Sequence, residues 1–321
     1  MEAAAIHFRT VVVGGGSVGL LYAARLVRSG LSVSIVTRSP RQAEQLGESG
    51  LLFKQLDGQK VLVPVEASPA GDGLPEADLY VLTVKQNDLP GLLPALRDTP
   101  DHARVLALQN GMGHHELLTQ VLPEERCFYG IHTEGARRIH ECEVEHTGKG
   151  ALRVGPWQER QEQDSIMSAF VRAANAAGID TIYERSIEPF AWRKLLANSL
   201  INPLTAIFEI PNGALLENSH TNVLMRELFV EASAVAASCG QKIGESDWQE
   251  IGSICRNTSR NLSSMLQDVK LHRQTEVQAI NGFLVQKGKE AGIPTPLHET
   301  LLRIVLLKTC LGTEKEGGDS T

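Results

Sequence analysis

The chain has 321 residues, long enough for two domains with separate cores. Hydrophobic residues make up 42% and charged residues 21%, the ordinary composition of a globular protein. Its 31 Lys and Arg against 38 Asp and Glu leave a formal net charge of -7, which argues against general nucleic-acid affinity and against a polybasic membrane patch.

An acidic chain of this kind can bind anions only through a local basic pocket. No run of about 18 apolar residues occurs, so no membrane-spanning helix is expected. The opening MEAAAIHFRT lacks a charged region followed by an apolar core and is not read as a signal peptide. The five cysteines (127, 142, 239, 255 and 310) are odd in number and widely spaced, with no C-x-x-C. They predict neither a disulfide framework nor a metal site; reduced thiols in a cytoplasmic protein are the simple expectation.

The run Thr10–Val13, TVVV, reads as a buried strand. GGGSVG follows, then LLYAARLVRSG as a helix closed by Gly30, then LSVSIVTR as a second strand. This is a β-α-β unit carrying G-x-G-x-x-G at Gly14, Gly16 and Gly19. The first glycine allows the tight turn, the second lets a pyrophosphate approach the backbone, and the third permits close helix–strand packing. Ser17 and Val18 would offer backbone N–H groups at the helix N-terminus, where negative charge is favoured. An NAD site wants an acid at the end of the second strand. Here the sequence reads Val36-Thr37-Arg38-Ser39-Pro40-Arg41. Arg38 and Arg41 can pair with a 2′-phosphate, so the predicted cofactor is NADP(H).

A polar helix, SPRQAEQLGESG, comes next, and GLLFKQLDGQKVLVPVEAS predicts two short strands around a turn at Asp57-Gly58. ADLYVLTVK and ARVLALQNG are further strands, each followed by a helix. Ligands on such sheets sit at the carboxyl ends of the strands, which singles out Lys85 and Asn110. Alone they would be a surface lysine and a turn residue. Strands and turns through residue 156, a helix over DSIMSAFVRAANAAG and a last strand IDTIYERS complete the predicted first domain. His114, His115, His132, His140 and His146 show no ligand spacing and are taken as surface or turn residues.

After Ile187 only helical patterns follow, including one over ESDWQEIGSICRNTSRNLSSMLQD and a polar tail from Gly312. The predicted domains are 1–186 and 187–321. Phe190–Ala206 should be a helix, mostly apolar, with Lys194, Asn198 and Asn202 each four residues apart. Each step turns about 40°, so the three heads lie on one slowly winding stripe. They are either the wet face of an amphipathic helix or one donor-rich wall of a ligand site. Pro203 removes a helical hydrogen bond to Ser199 and predicts a bend after Asn202. Glu276 can join Ser264 and Asp268 only if the chain breaks between them, and Thr275 with Gln278 predicts a capping box opening a new helix.

Several stretches together resemble the ketopantoate reductase (2-dehydropantoate 2-reductase) family. They are the glycine turn, T-V-K-Q at 83–86, Q-N-G-M-G at 109–113, W-R-K-L-x-x-N-x-x-I-N-P-L-T-A at 192–206, S-S-M-L-Q-D at 263–268 and T-E-x-x-x-I-N-G at 275–282. The resemblance implies an α/β fold: an N-terminal Rossmann-type parallel-sheet domain and an all-helical C-terminal domain like that of 6-phosphogluconate dehydrogenase, with the site in the cleft between them. It implies NADPH-dependent reduction of 2-dehydropantoate to (R)-pantoate, a step toward pantothenate and coenzyme A. By the same resemblance Lys194 is the proton donor, and Asn198, Asn202 and Ser264 bind substrate, with Asn110 beside them. Glu276 would attend the substrate hydroxyl, the lysine and the cofactor, and Lys85 and Asn110 the nicotinamide end. Ser17 stands where many members carry Ala.

The expected partner is a small 2-oxo acid, with no nucleic acid and no membrane. The amphipathic helices of the second domain offer a surface on which a homodimer could form. Two alternatives stay open: a reductase of another 2-oxo acid, and a non-catalytic NADP(H)-sensing protein of the same fold.

Overall fold

A computed structural model of the protein describes residues 8–316. The reading of the first residues as no leader, and the last part of the polar tail, fall on residues outside these. The backbone forms two compact units. One runs through Gln109 and resumes over His114–Glu188; the other joins Asn110–Gly113 to the chain from Pro189 onward. The sequence expectation put the change after residue 186 and did not assign the 110–113 loop to the second unit.

The first unit opens with β1 (Arg9–Val13), α1 (Ser17–Arg28), β2 (Ser32–Thr37) and α2 (Pro40–Ser49). The strands β3 (Leu51–Lys54), β4 (Lys60–Val63), β5 (Glu66–Pro69) and β6 (Leu79–Leu82) follow. Next come α3 (Leu89–Arg97), β7 (Arg104–Ala107), α4 (His114–Leu118) and β8 (Cys127–His132). The unit ends with β9 (Gly135–His140), β10 (Glu143–Gly148), β11 (Ala151–Gly155), α5 (Ser165–Ala176) and β12 (Asp180–Tyr183). Eight strands form one sheet in the order β12-β11-β8-β7-β6-β1-β2-β5. All neighbours are parallel except β11 with β8. A second sheet has the order β4-β3-β10-β9.

The central strands are buried on both faces, as their continuous apolar runs require. Val12, Ile35 and Val81 pack with Leu20, Leu21 and Leu26 of α1 and Phe170 of α5. Helix starts follow their caps: Ser39 Oγ accepts from Gln42 N–H and Asp164 Oδ1 from Met167 N–H. Where two strands were expected around Asp57-Gly58, a third, β5, returns to extend the main sheet beside β2. The histidine reading needs correction. His114, His132 and His146 are buried, and His115 stacks on Trp157 with centroids 4.9 Å apart. His146 Nε2 lies 2.5 Å from the buried Glu134 carboxylate, which also takes Arg25 at 2.9 Å.

The second unit contains α6 (Glu188–Phe208), α7 (Ala214–Glu217), α8 (Ser219–Ser238) and α9 (Glu245–Asn257). It continues with α10 (Ser264–Lys270), a π-helical turn (Gln278–Gly282), α11 (Phe283–Ala291) and α12 (Pro296–Glu316). The expected single helix over 245–268 is two. The polar run Thr258–Leu262 leaves the helix because its carbonyls serve another segment: Gly213 N–H donates to Ser259 O and Asn212 N–H to Asn261 O. Ser263 then caps α10. The helix α12 carries four residues of the expected tail beyond Gly312, to Glu316. Among the described residues no helix is long and apolar enough to cross a membrane, and no group of His, Cys, Asp or Glu is placed to hold a metal.

Candidate active site

The glycine turn is built as its spacing predicts. Gly14 has φ +127°, and a Cβ there would lie 2.7 Å from Thr83 Oγ1. Thr83 in turn holds the turn, its hydroxyl 3.1 Å from both Val13 O and Gly14 O. A Cβ on Gly19 would lie 2.0 Å from Gly14 O, so only glycine allows α1 this close to the turn. A Cβ on Gly16 would meet nothing within 4 Å. Gly16 is also the N-cap of α1 and supplies no side-chain cap, and the first turn holds no acid. The N–H groups of Ser17 and Val18 therefore open a helix end suited to an anion. These features fit a dinucleotide phosphate.

Sequence reading missed two supports of this turn. Gln42 Nε2 donates to Gly15 O at 2.8 Å, and Arg138 of β9 donates from its guanidinium to Gly15 O at 3.2 Å and from its backbone to Ser17 Oγ at 3.0 Å. Arg138 thus brings a cation beside the turn from more than 120 residues away. Only the strand pairing of β9 with β10 reveals it. Arg38 follows β2 directly and its side chain is 90% exposed, 3.6 Å from Asp88. An exposed pair of that length holds Arg38 by about 1 kcal/mol at most, so it is available to a ligand. Arg41, in the first turn of α2, is also exposed. Lys85 ends the stretch after β6 and stands at the N-cap position of the short helical turn Gln86–Asp88.

The second unit gathers a different set. The helix α6 is apolar nearly all round and buried along most of its length, as such a helix must be. Asn202 is 7% exposed, while Lys194 and Asn198 keep partial access to solvent. The stripe is therefore half-buried and not a fully solvated face. Burial pushes the Lys194 ammonium down from 10.5 to about 8, because the charged form loses water; the Glu276 carboxylate opposes this and draws it back up.

Glu276 Oε2 accepts from Asn110 Nδ2 at 3.1 Å. The helix after Ser264 does break, over Leu271–Glu276, and restarts at Val277. That restart has no side-chain cap, so the expected capping box of Thr275 and Gln278 is not formed. Instead the Asn110–Gly113 loop lies on the new turn: Met112 N–H donates to Ala279 O at 2.9 Å. Gly111, at φ +82°, would put a Cβ 2.5 Å from that same oxygen. The approach that delivers Asn110 to Glu276 thus requires glycine next to it.

Ser264 is exposed at the first residue of α10. Its neighbour Ser263 is buried and takes the structural part, within 2.7 Å of Thr205 Oγ1. The structure therefore brings Asn110, Lys194 and Glu276 into one interacting set. It puts Asn198 and Asn202 on the same helix as the lysine, and the glycine turn, Arg38, Arg41 and Lys85 in the first unit.

Comparison with known proteins accounts for both units. Residues 10–159 match the family described as ketopantoate reductase PanE/ApbA, and residues 186–309 match its C-terminal domain. A 2-dehydropantoate 2-reductase of Halobacterium salinarum is 30% identical over 93% of this chain and 98% of its own length. One from Bacillus subtilis is 33% identical over 88% and 91%. The crystal structure of a PanE/ApbA family ketopantoate reductase from Ralstonia eutropha is 26% identical, with a TM-score of 0.86 covering 95% of this chain and 99% of the other. The chain belongs to the ketopantoate reductase family.

Proposed function

We propose that the protein is an NADPH-dependent reductase of 2-dehydropantoate, forming (R)-pantoate on the way to pantothenate and coenzyme A in the cytoplasm. The observation that carries this reading is Lys194: a half-buried lysine whose ammonium burial lowers to about 8 while the Glu276 carboxylate draws it back up, on a helix that also carries two amides. A sensor of NADP(H) has no use for a proton donor maintained in this state.

When bound, NADPH supplies the hydride to the substrate C2. Lys194 donates a hydrogen bond to the ketone oxygen, stabilises the negative charge that develops there, and transfers its proton to that oxygen. Asn198, Asn202 and Ser264 hold the carboxylate and hydroxyl through neutral donors. Glu276 accepts from Asn110 and keeps Lys194 charged. In the first unit Gly14–Gly19 would hold the pyrophosphate at the α1 N-terminus, Arg38 and Arg41 the 2′-phosphate, and Lys85 would serve the nicotinamide half.

The test is NADPH oxidation by the purified protein with ketopantoate beside a panel of other 2-oxo acids, repeated with NADH. Ketopantoate should give the highest kcat/KM. A higher value for another 2-oxo acid would transfer the activity to that substrate, and no turnover with any of them would support the sensor.

A further inference from the structure

Pro203 leaves the carbonyl of Ser199 without its helical donor, inside a helix where Ser199 is wholly buried. A buried carbonyl without a donor is destabilising, so something must fill the gap. The structure supplies a side chain from 82 residues away: Asn281 Nδ2 donates to Ser199 O at 3.0 Å. The second hydrogen of that amide points to His298 Nδ1, also at 3.0 Å. His298 Nε2 lies 3.0 Å from Leu228 O in α8, a bond it can make only as donor. Nδ1 is then the acceptor in a neutral ring, and burial, which pushes His298 down to about 4, keeps it neutral.

Both Asn281 and His298 are fully buried. The backbone N–H groups of Leu297 and His298 are held by the Glu231 carboxylate of α8 at 3.0 and 3.2 Å. The chain of bonds therefore runs from α8 through α12 and the π turn into α6, with its last link at the proline gap. One short segment does two things: Glu276 stands just ahead of the π turn and Asn281 within it. The Glu276 carboxylate acts on the charge of Lys194 of α6, and Asn281 bonds Ser199 of α6.

We infer that Asn281 is a positioning residue for the reductase reaction: its amide, oriented by His298, splices the proline gap of α6 and so fixes where Lys194, Asn198 and Asn202 present their heads. This rests on the function proposed above. It assigns the sequence Ile280-Asn281-Gly282 a task distinct from contact with substrate.

A double-mutant cycle with Pro203→Ala tests it, because an alanine at 203 restores an N–H to Ser199 O from within the helix. In the wild-type background Asn281→Ala should lower kcat/KM for ketopantoate by about tenfold or more, with NADPH dissociation unchanged within about twofold. In the Pro203→Ala background the same change should cost about threefold or less. Asn281→Asp keeps the shape but cannot donate twice, and should lose as much as alanine. Equal losses in the two backgrounds, or a lowered melting temperature with unaltered kcat/KM, would overturn the inference. Wild-type turnover of ketopantoate reads the proposed activity separately. If it is absent, the same four proteins report through the Lys194 titration, followed by NMR of the labelled ammonium. Asn281→Ala should displace that titration in the wild-type background and leave it in place beside Pro203→Ala; displacement in both, or in neither, would refute the splice.

Discussion

Replacing Lys194 by Met keeps most of the stem and removes the charge. The structure predicts opposite effects on activity and stability. Turnover should fall by at least about two decades, the lower end of what a positioned general acid contributes, while NADPH still binds. Stability should rise. The ammonium is lowered from 10.5 to about 8 by burial. At about 1.4 kcal/mol per pH unit, the folded protein carries a penalty of up to about 3 kcal/mol at neutral pH. The sign follows from proton counting. Below pH 8 the lysine is charged in both states and the whole penalty is present. Between about 8 and 10.5 the unfolded chain holds a proton that the folded one has released, so stability rises with pH and levels off above. Lys194→Met removes both the penalty and this slope. Thermal unfolding monitored from pH 7 to 10, with turnover measured in parallel, checks the argument. A variant that is no more stable than wild type at pH 7, or that retains turnover, would refute the account of the lysine.

Three further outcomes are expected. Glu276→Gln removes the charge that draws Lys194 upward, so the basic limb of the activity profile should move to lower pH; an unmoved limb would show that Glu276 does not act on the lysine. Arg38→Asp should relax or reverse the preference for NADPH over NADH, read as a ratio of kcat/KM values, because an acid there repels a 2′-phosphate. Gly19→Ala forces a methyl to within 2.0 Å of Gly14 O and should weaken cofactor binding by about tenfold or more, as measured by fluorescence titration, without touching the second unit.

What could be read from the sequence is what chain-local physics determines. The glycine turn needs only a strand, three positions without Cβ and a helix N-terminus, all inside residues 10–28, and it is built as expected. The long apolar run of α6 predicts a buried helix, and Pro203 marks the carbonyl it orphans. The partners are what the sequence hides. Arg138 reaches Gly15 through the pairing of β9 with β10, and Asn281 reaches Ser199 across 82 residues. The loop at Asn110 belongs by its contacts to the helical unit although it directly follows a strand of the sheet. The break after α9 was missed for a related reason: helical periodicity continues through Thr258–Leu262, but its carbonyls are taken by residues 212 and 213. Neither periodicity nor capping preference carries that information, because in each case the competing bond comes from a distant segment.

The choice of neutral donors beside Lys194 has a kinetic consequence. A second cation near this ammonium would push it down further, whereas Asn198 and Asn202 of the same helix are donors that add no positive charge. The substrate itself then brings the negative charge. A carboxylate bound against these amides favours the protonated lysine, so the free enzyme, with Lys194 at about 8, should retain its proton better once substrate is bound. The pH dependence of kcat/KM reports the free enzyme and that of kcat the complex. The basic limb should accordingly lie near pH 8 in kcat/KM and distinctly higher in kcat. Both profiles come from one set of steady-state measurements between pH 6 and 10, with a slow substrate to keep chemistry rate-limiting. Coincident limbs would mean that the substrate carboxylate sits too far from Lys194 to act on it, and would remove Asn198 and Asn202 from the substrate site.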